Sequence, residues 1–299
     1  MVNDFNTYFI SINDRRTLNN ITTTDPALNY LQDIFVRPFP SIQLAPVTAT
    51  EIKDIIKSLK WKNSHSYDKI PIRILKISLP FITSPLTYIC NKSLVSGLFP
   101  TRLKYSQINP VLKKGNKSEM SNYRPISLLT SFSKVFEKVI YNRLQNHITV
   151  NNILAEEQYG FRNNSSTETA SFNLINNILD ALNNNMRVGG IFCDLTKAFD
   201  YVNHNVLLSK LEFYGITGRA NNLIKSYLSD RYQRVLMKNN CSNKCFSEWG
   251  KIKQGVPQSS ILGPLFFQLY INDLPGLIND ISRPTVFADD NSIIFTHSN

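Results

Sequence analysis

Two adjacent carboxylates stand near the end of this sequence. Residues 286–295 read VFADDNSIIF, with Asp289 and Asp290 held between two short apolar runs. A third carboxylate, Asp194, ends the apolar run of GGIFCDLTKAFDYVNH (189–204), directly after Ile191, Phe192 and Cys193. Each has a plain explanation alone. Asp-Asp-Asn is ordinary turn chemistry for the tip of a β-hairpin, and an Asp after a strand commonly caps the helix that follows. Brought together, the three would repel one another unless a divalent cation neutralised them. Magnesium suits such a group: it takes one or two protein carboxylates, keeps several waters and completes its octahedron with substrate phosphates. Two such ions activate an attacking hydroxyl and stabilise a departing pyrophosphate.

A triphosphate also needs cations on its far side. KKGNKSEMSNYRPISLL supplies Lys113, Lys114 and Arg124, the arginine as a bidentate fork. Lys117, in the same loop, reads as a solvated charge. The stretch QGVPQSSILGPLFFQLYINDLP (254–275) is a turn leading into a helix, and its Gln258 has the chemistry to hydrogen-bond a sugar or a base.

These residues need elements to hold them. Thr48-Ala-Thr-Glu51 has capping-box spacing, and Ile52, Ile55, Ile56 and Leu59 behind it predict an amphipathic helix over 49–60. Apolar helical material over 72–96 is expected to break at Pro80 and Pro85. Strands are predicted at 108–112 and 126–129, followed by a helix over 132–148 with Phe132, Val135, Phe136, Val139, Ile140 and Leu144 on one face. A helix at 166–183 precedes a buried strand at 189–195, which delivers Asp194 at its end to a helix-starting Thr196. Helices at 204–213 and 219–229, strands at 232–238 and 245–252, a helix from Pro264 and the terminal hairpin complete the pattern. Residues 1–47, interrupted by Pro26, Pro38, Pro40 and Pro46, read as an irregular lead-in with room for one short helix. Strands interleaved irregularly with helices, without a fixed repeat, predict an α+β architecture.

Composition narrows the class of partner. With 42% hydrophobic and 18% charged residues among 299, the chain is a folded protein, not a disordered one. Its 33 basic and 22 acidic residues leave a net charge of +11, which suits a polyanion, nucleic acid first and an anionic membrane second. Four cysteines make no disulfide framework and favour a reducing compartment. Cys241 and Cys245 have no neighbouring His or Cys to complete a zinc site. The N-terminus lacks the uninterrupted apolar core of a signal peptide, and no run of about 18 apolar residues predicts a membrane span.

Five stretches in order carry a resemblance: SNYRPISLLTSFSKVFEKVIYNRL, EEQYGFRNNSSTETA, FCDLTKAFDYVNHNVLLSKLEFYGI, QGVPQSSILGPLFFQLYINDL and FADD. Together they resemble the reverse transcriptase of non-LTR (LINE, jockey-like) retrotransposons, and SYDKIPIRILK and INPVLKKGNKS resemble the segment before that core. The resemblance implies a right-hand polymerase fold of fingers and palm, with an antiparallel palm sheet backed by helices. On this reading 1–47 is lead-in, 48–104 a helical N-terminal extension and 105–299 the reverse transcriptase domain, its thumb missing because it would follow Asn299.

The resemblance also implies an RNA-directed DNA polymerase. Asp194, Asp289 and Asp290 would be the catalytic carboxylates, binding two Mg²⁺ ions (or Mn²⁺ in their place) with the Leu195 carbonyl. Lys113, Lys114 and Arg124 would cradle the triphosphate, and Gln258 would contact nucleotide and template. Phe199 would be the gate that excludes a ribose 2′-hydroxyl, while Asp200 and Arg162 would be structural supports. The implied partners are an RNA template, a DNA primer and deoxynucleoside triphosphates, with no membrane, and the implied location is the nucleus. One departure stands out: the family's Gly after the glutamine is Ser259 here, at a position where Gly usually marks a positive φ. Two other readings compete. An RNA-dependent RNA polymerase shares the carboxylates but would not favour a bulky Phe199. A catalytically silent nucleic-acid-binding remnant would keep the charge and lose the chemistry.

Overall fold

The computed structural model describes residues 1–11, 31–32, 34–35, 39–238, 243–279 and 282–298. Residues 12–30, 33 and 36–38 of the lead-in, and Cys241, lie outside that set. Helix α1 (Val2–Ser11) opens the chain. Helix α2 (Ala49–Ser58) begins at the predicted cap, where Thr48 Oγ1 accepts from the Glu51 N–H at 3.1 Å. The Glu51 carboxylate does not return to Thr48; it pairs with Arg143. Helices α3 (Ile72–Ile77) and α4 (Leu79–Ser96) follow. Pro80 sits in the first turn of α4, where no N–H is missed, and Pro85 lies inside the helix without ending it. The carbonyl that Pro85 leaves unbonded belongs to Phe81, whose residue is 82% exposed, so water takes the place of the missing bond and the expected break does not occur.

The chain continues through strands β1 (Tyr105–Leu112) and β2 (Tyr123–Leu128), helices α5 (Ser131–Val150) and α6 (Thr167–Asn183), and strand β3 (Arg187–Asp194). Helices α7 (His204–Phe213) and α8 (Gly218–Leu228) lead to strands β4 (Arg231–Lys238), β5 (Lys244–Phe246) and β6 (Gly250–Ile252). Helices α9 (Leu262–Tyr270) and α10 (Leu274–Ile278) precede the hairpin of β7 (Arg283–Phe287) and β8 (Asp290–His297). The strand predicted at 245–252 is therefore two short strands, and both pair antiparallel with β4.

Two sheets result. The first runs β2-β1-β4-β5, with β6 also on β4; β1 pairs antiparallel with β2 and parallel with β4. The second is wholly antiparallel in the order β3-β8-β7, with α6 packed against it. The α+β expectation holds, but the burial expected of the strand at 189–195 does not: β3 is largely exposed, with Ile191 50% and Phe192 70% exposed. Helices α2, α4, α5, α7, α8 and α9 share one apolar core in which Leu144, Ile148, Leu211, Tyr214, Tyr227 and Phe266 are buried. The face predicted on α5 is the buried one: Val135, Phe136, Val139, Ile140 and Leu144 face the core, each stabilising by roughly 1.5–3 kcal/mol. Helix α1 covers the first sheet, where Phe5 and Phe9 pack with Ile108 and Val235. Among the described residues no helix is long and apolar enough to cross a membrane.

Candidate active site

Strands β3 and β8 pair in register from Arg187 opposite His297 to Asp194 opposite Asp290. Residues directly opposite in an antiparallel pair share a face, so two carboxylates stand side by side, an arrangement that destabilises a sheet. The hairpin tip is Ala288-Asp289, one residue earlier than the predicted Asp-Asp-Asn tip, and Asp290 opens β8. Just beyond Asp194, the Leu195 N–H donates to the Asp289 carbonyl at 2.9 Å. Carboxylates far apart in the chain thus meet at one strand end. Asp194 does not begin a helix, as the sequence led us to expect. Residues 196–201 form successive turns with Lys197 at φ +57°, and α7 starts only at His204, capped by Asn203.

A cleft of about 600 Å³ opens over this junction. Its lining includes Asp194, Leu195 and Asp289 from the ends of β3 and the β7–β8 hairpin, Lys113, Lys114 and Arg124 from the β1–β2 hairpin, and Phe199 and Gln258. Asp290 does not line it. Lys113 and Lys114 follow the end of β1, where the Lys113 N–H closes the β1–β2 hairpin on the Asn122 carbonyl at 2.8 Å. Arg124 lies on β2 opposite Val111. Lys117 is exposed and outside the cleft, as a solvated charge should be.

The turn carrying Gln258 is tied down from three directions. Ser127 on β2 donates its N–H to the Gln258 carbonyl at 3.1 Å, and the Val256 N–H donates to the Phe199 carbonyl at 2.9 Å. The Gln258 Nε2 group donates to both carboxylate oxygens of Asp200 at 3.2 Å. Burial pushes the Asp200 carboxyl up to about 6, against the opposing pull of the Gln258 hydrogen bond and the Lys197 charge. Gly255 makes this approach possible: at φ +81°, a Cβ there would stand 2.7 Å from the Asp200 carbonyl. The Phe199 ring stacks on Phe267 with centroids 5.2 Å apart and meets the edge of Phe161 at 6.1 Å.

Ser259 adopts φ +77°, the left-handed conformation that the family's Gly would take without strain. A residue with a Cβ bears about 1–2 kcal/mol there.

Three cleft features escaped the sequence. Phe161, next to Arg162 in QYGFR, lines the cleft at φ +58°, while Arg162 itself turns away to donate to the Ala155 carbonyl at 2.9 Å. Lys197 also lines the cleft, and its ammonium donates to the Tyr8 hydroxyl at 3.0 Å and sits 5.0 Å from that ring's centroid. The third is the Tyr8 contact itself, which brings α1 to the cleft rim. The positive φ values of Phe161 and Lys197 mark strained loop positions, but no sequence pattern reveals such strain in a residue other than Gly.

The donors at the acidic end are all oxygens: the Asp194 and Asp289 carboxylates and the Leu195 carbonyl. That hard set fits magnesium better than zinc or copper. Among the described residues no three His, Cys, Asp or Glu side chains form a group that would hold a metal by themselves. The arrangement suits an ion that draws its remaining ligands from substrate and water.

An open cleft lined by both acids and bases stands at the end of an antiparallel sheet. The model of the reverse transcriptase (RNA-dependent DNA polymerase) family matches residues 111–299, and the chain belongs to that family. It is 35% identical over 242 residues to the probable RNA-directed DNA polymerase from transposon BS of Drosophila melanogaster, covering 79% of this chain and 25% of that protein. It is 30% identical over 256 residues to the RNA-directed DNA polymerase from mobile element jockey of Drosophila funebris, covering 83% of this chain and 27% of the relative. The chain thus spans about a quarter of the length of these relatives. Among solved structures, apo telomerase from Candida tropicalis is similar at a TM-score of 0.46 and 13% identity, over 82% of this chain and 61% of that one. The resemblance read from the ordered motifs is borne out by the family and these relatives.

Proposed function

We propose that this chain is the catalytic part of an RNA-directed DNA polymerase of the non-LTR retrotransposon type. One observation supports this above the rest: all the predicted site residues except Asp290, acids and bases together, line a single cleft. A deoxynucleoside triphosphate would lie with its phosphates between Arg124, Lys113 and Lys114 and the acidic end. Phe199, held rigid on Phe267, would lie beneath the sugar and fill the space a 2′-hydroxyl needs. Gln258, fixed in orientation by Asp200, would face the base or sugar. Asp194, Asp289 and the Leu195 carbonyl would hold Mg²⁺. That ion supplies charge neutralisation, activation of the primer 3′-hydroxyl and stabilisation of the leaving pyrophosphate. Asp290, set opposite Asp194 and outside the cleft wall, adds negative charge to the same strand end. Location in the nucleus belongs to the same proposal and rests on the family alone; a tagged chain excluded from nuclei would contradict it.

Primer extension on an RNA template with Mg²⁺ is the direct test. The chain should extend a DNA primer, and Asp289→Asn should lose at least about a hundredfold in rate while still binding the hybrid. Binding by the unaltered chain without extension would favour the silent remnant. Extension that survives Asp289→Asn would refute the assignment of the acids.

A further inference from the structure

Glu137 sits on α5 with none of its surface exposed. A buried carboxylate is costly unless its oxygens are satisfied, and here three donors from two helices and a turn converge on it. Ser133 Oγ, on the same helix, and the Tyr227 hydroxyl on α8 each donate to Oε1 at 3.2 Å. The Ile261 N–H donates to Oε2 at 2.7 Å. Arg231, 1% exposed, lies against the Tyr227 ring at 4.7 Å and donates to the Tyr227 carbonyl at 3.2 Å. Burial pushes the Glu137 carboxyl up, while the Arg231 charge and the three hydrogen bonds pull it down.

Ile261 is the residue from which α9 starts, and no side chain caps the helix at that residue. Its N–H belongs to the positive end of the helix dipole, where a carboxylate is favoured. It also closes the turn that begins at Gly255 and carries Gln258 and Ser259 into the cleft. That turn is held on its other flank by Phe199 and Ser127.

We propose that Glu137 is a positioning residue for the nucleotide cleft: by binding the Ile261 amide from the helical core, it sets the height of the 255–261 turn and so the reach of Gln258. The inference rests on the polymerase reading. An apolar residue of similar volume would fill the same space, while leaving the buried Arg231 charge and the Ser133 and Tyr227 hydroxyls without their acceptor. What an apolar residue cannot do is accept the Ile261 N–H.

Two variants separate the roles. Glu137→Met keeps the volume and removes the acceptor; Glu137→Gln keeps an amide oxygen for the Ile261 N–H. In steady-state extension, Glu137→Met should raise KM for the incoming nucleotide at least about tenfold with kcat within about threefold, and Glu137→Gln should restore most of that loss. Amide hydrogen exchange should quicken at least about tenfold over residues 255–261 in Glu137→Met, and by clearly more there than in α5 and α8, which lose only the Ser133 and Tyr227 side-chain bonds. An unaltered KM and turn in a folded Glu137→Met would overturn the inference. So would exchange that quickens equally in α5, α8 and the turn, since that marks general support of the core. If Glu137→Met does not fold, the Ile261 amide proton in Glu137→Gln decides: it should move upfield as a neutral acceptor replaces the carboxylate, and an unmoved resonance would overturn the proposal. A chain that fails to extend primers at all sinks the polymerase reading, while exchange and the amide resonance still report on Glu137.

Discussion

Phe199 would select by occupying space. Its ring stacks on Phe267 and meets the edge of Phe161 at the cleft wall, contacts it would lose by swinging aside for a larger sugar. Phe199→Ala should lower discrimination against ribonucleotides by at least about tenfold, because the exclusion is steric and no hydrogen bond replaces it. Competition between the two sugars in one reaction measures the ratio independently of any loss of stability, and an unchanged ratio would remove Phe199 from this role. Asp200 gives a pH signature. Its carboxyl, raised from an ordinary 3.8 to about 6 by burial, binds its proton more tightly in the folded chain than in the unfolded one. Its contribution to stability is therefore greatest below pH 3.8 and declines as pH rises to about 6. Asp200→Asn should be more stable than the unaltered chain at pH 7, by on the order of 1–2 kcal/mol, and should gain less at pH 4. Thermal unfolding at the two pH values checks this; equal differences at both would count against it.

At the scale of elements, the acidic hairpin is held in place by the segment 157–160. The Val286 N–H donates to the Glu157 carbonyl at 2.9 Å and the Tyr159 N–H to the Val286 carbonyl at 2.8 Å, so Gln158 runs as a short parallel bridge beside β7. Gly160 follows, and a Cβ there would fall 2.1 Å from the Ala288 nitrogen. That backbone has no room to yield, since Ala288 is already at φ +57° and its neighbour's carbonyl is bonded to Leu195. Gly160→Ala should therefore push the tip away from Asp194, at a cost of about 1–3 kcal/mol in stability and at least about a hundredfold in extension rate. A Gly160→Ala chain with wild-type extension would mean that the tip is not held by this contact. Helix α1 contributes a second hold: packed on the first sheet through Phe5 and Phe9, it bonds Lys197 through Tyr8.

Across the whole molecule the excess of positive charge would govern encounter with the nucleic acid proposed as partner. The net charge of +11 draws a polyanion with little regard to sequence. Binding to an RNA–DNA hybrid should weaken by about a hundredfold between 50 and 200 mM salt if about four phosphates are neutralised, with a similar slope for unrelated sequences. A flat salt dependence, measured by fluorescence anisotropy, would show that the charge excess does not contact the nucleic acid.

The amino-acid sequence alone determined most of the elements, the family and the residue types of the site. Apolar periodicity, the Thr48 cap and ordered motifs are local properties, and local propensities persist in the folded chain. It also pointed to the strained turn at residue 259, because a missing Gly is visible in a motif. Tertiary structure alone decided which carboxylates share the cleft. A shift of the hairpin tip by one residue moves Asp290 into a strand opposite Asp194 and leaves Asp289 at the tip, and strand register is set by pairing across the sheet. Phe161, Lys197, Tyr8 and Glu137 were invisible for the same reason. Each acts through a partner distant in the chain, and only packing brings such partners within reach.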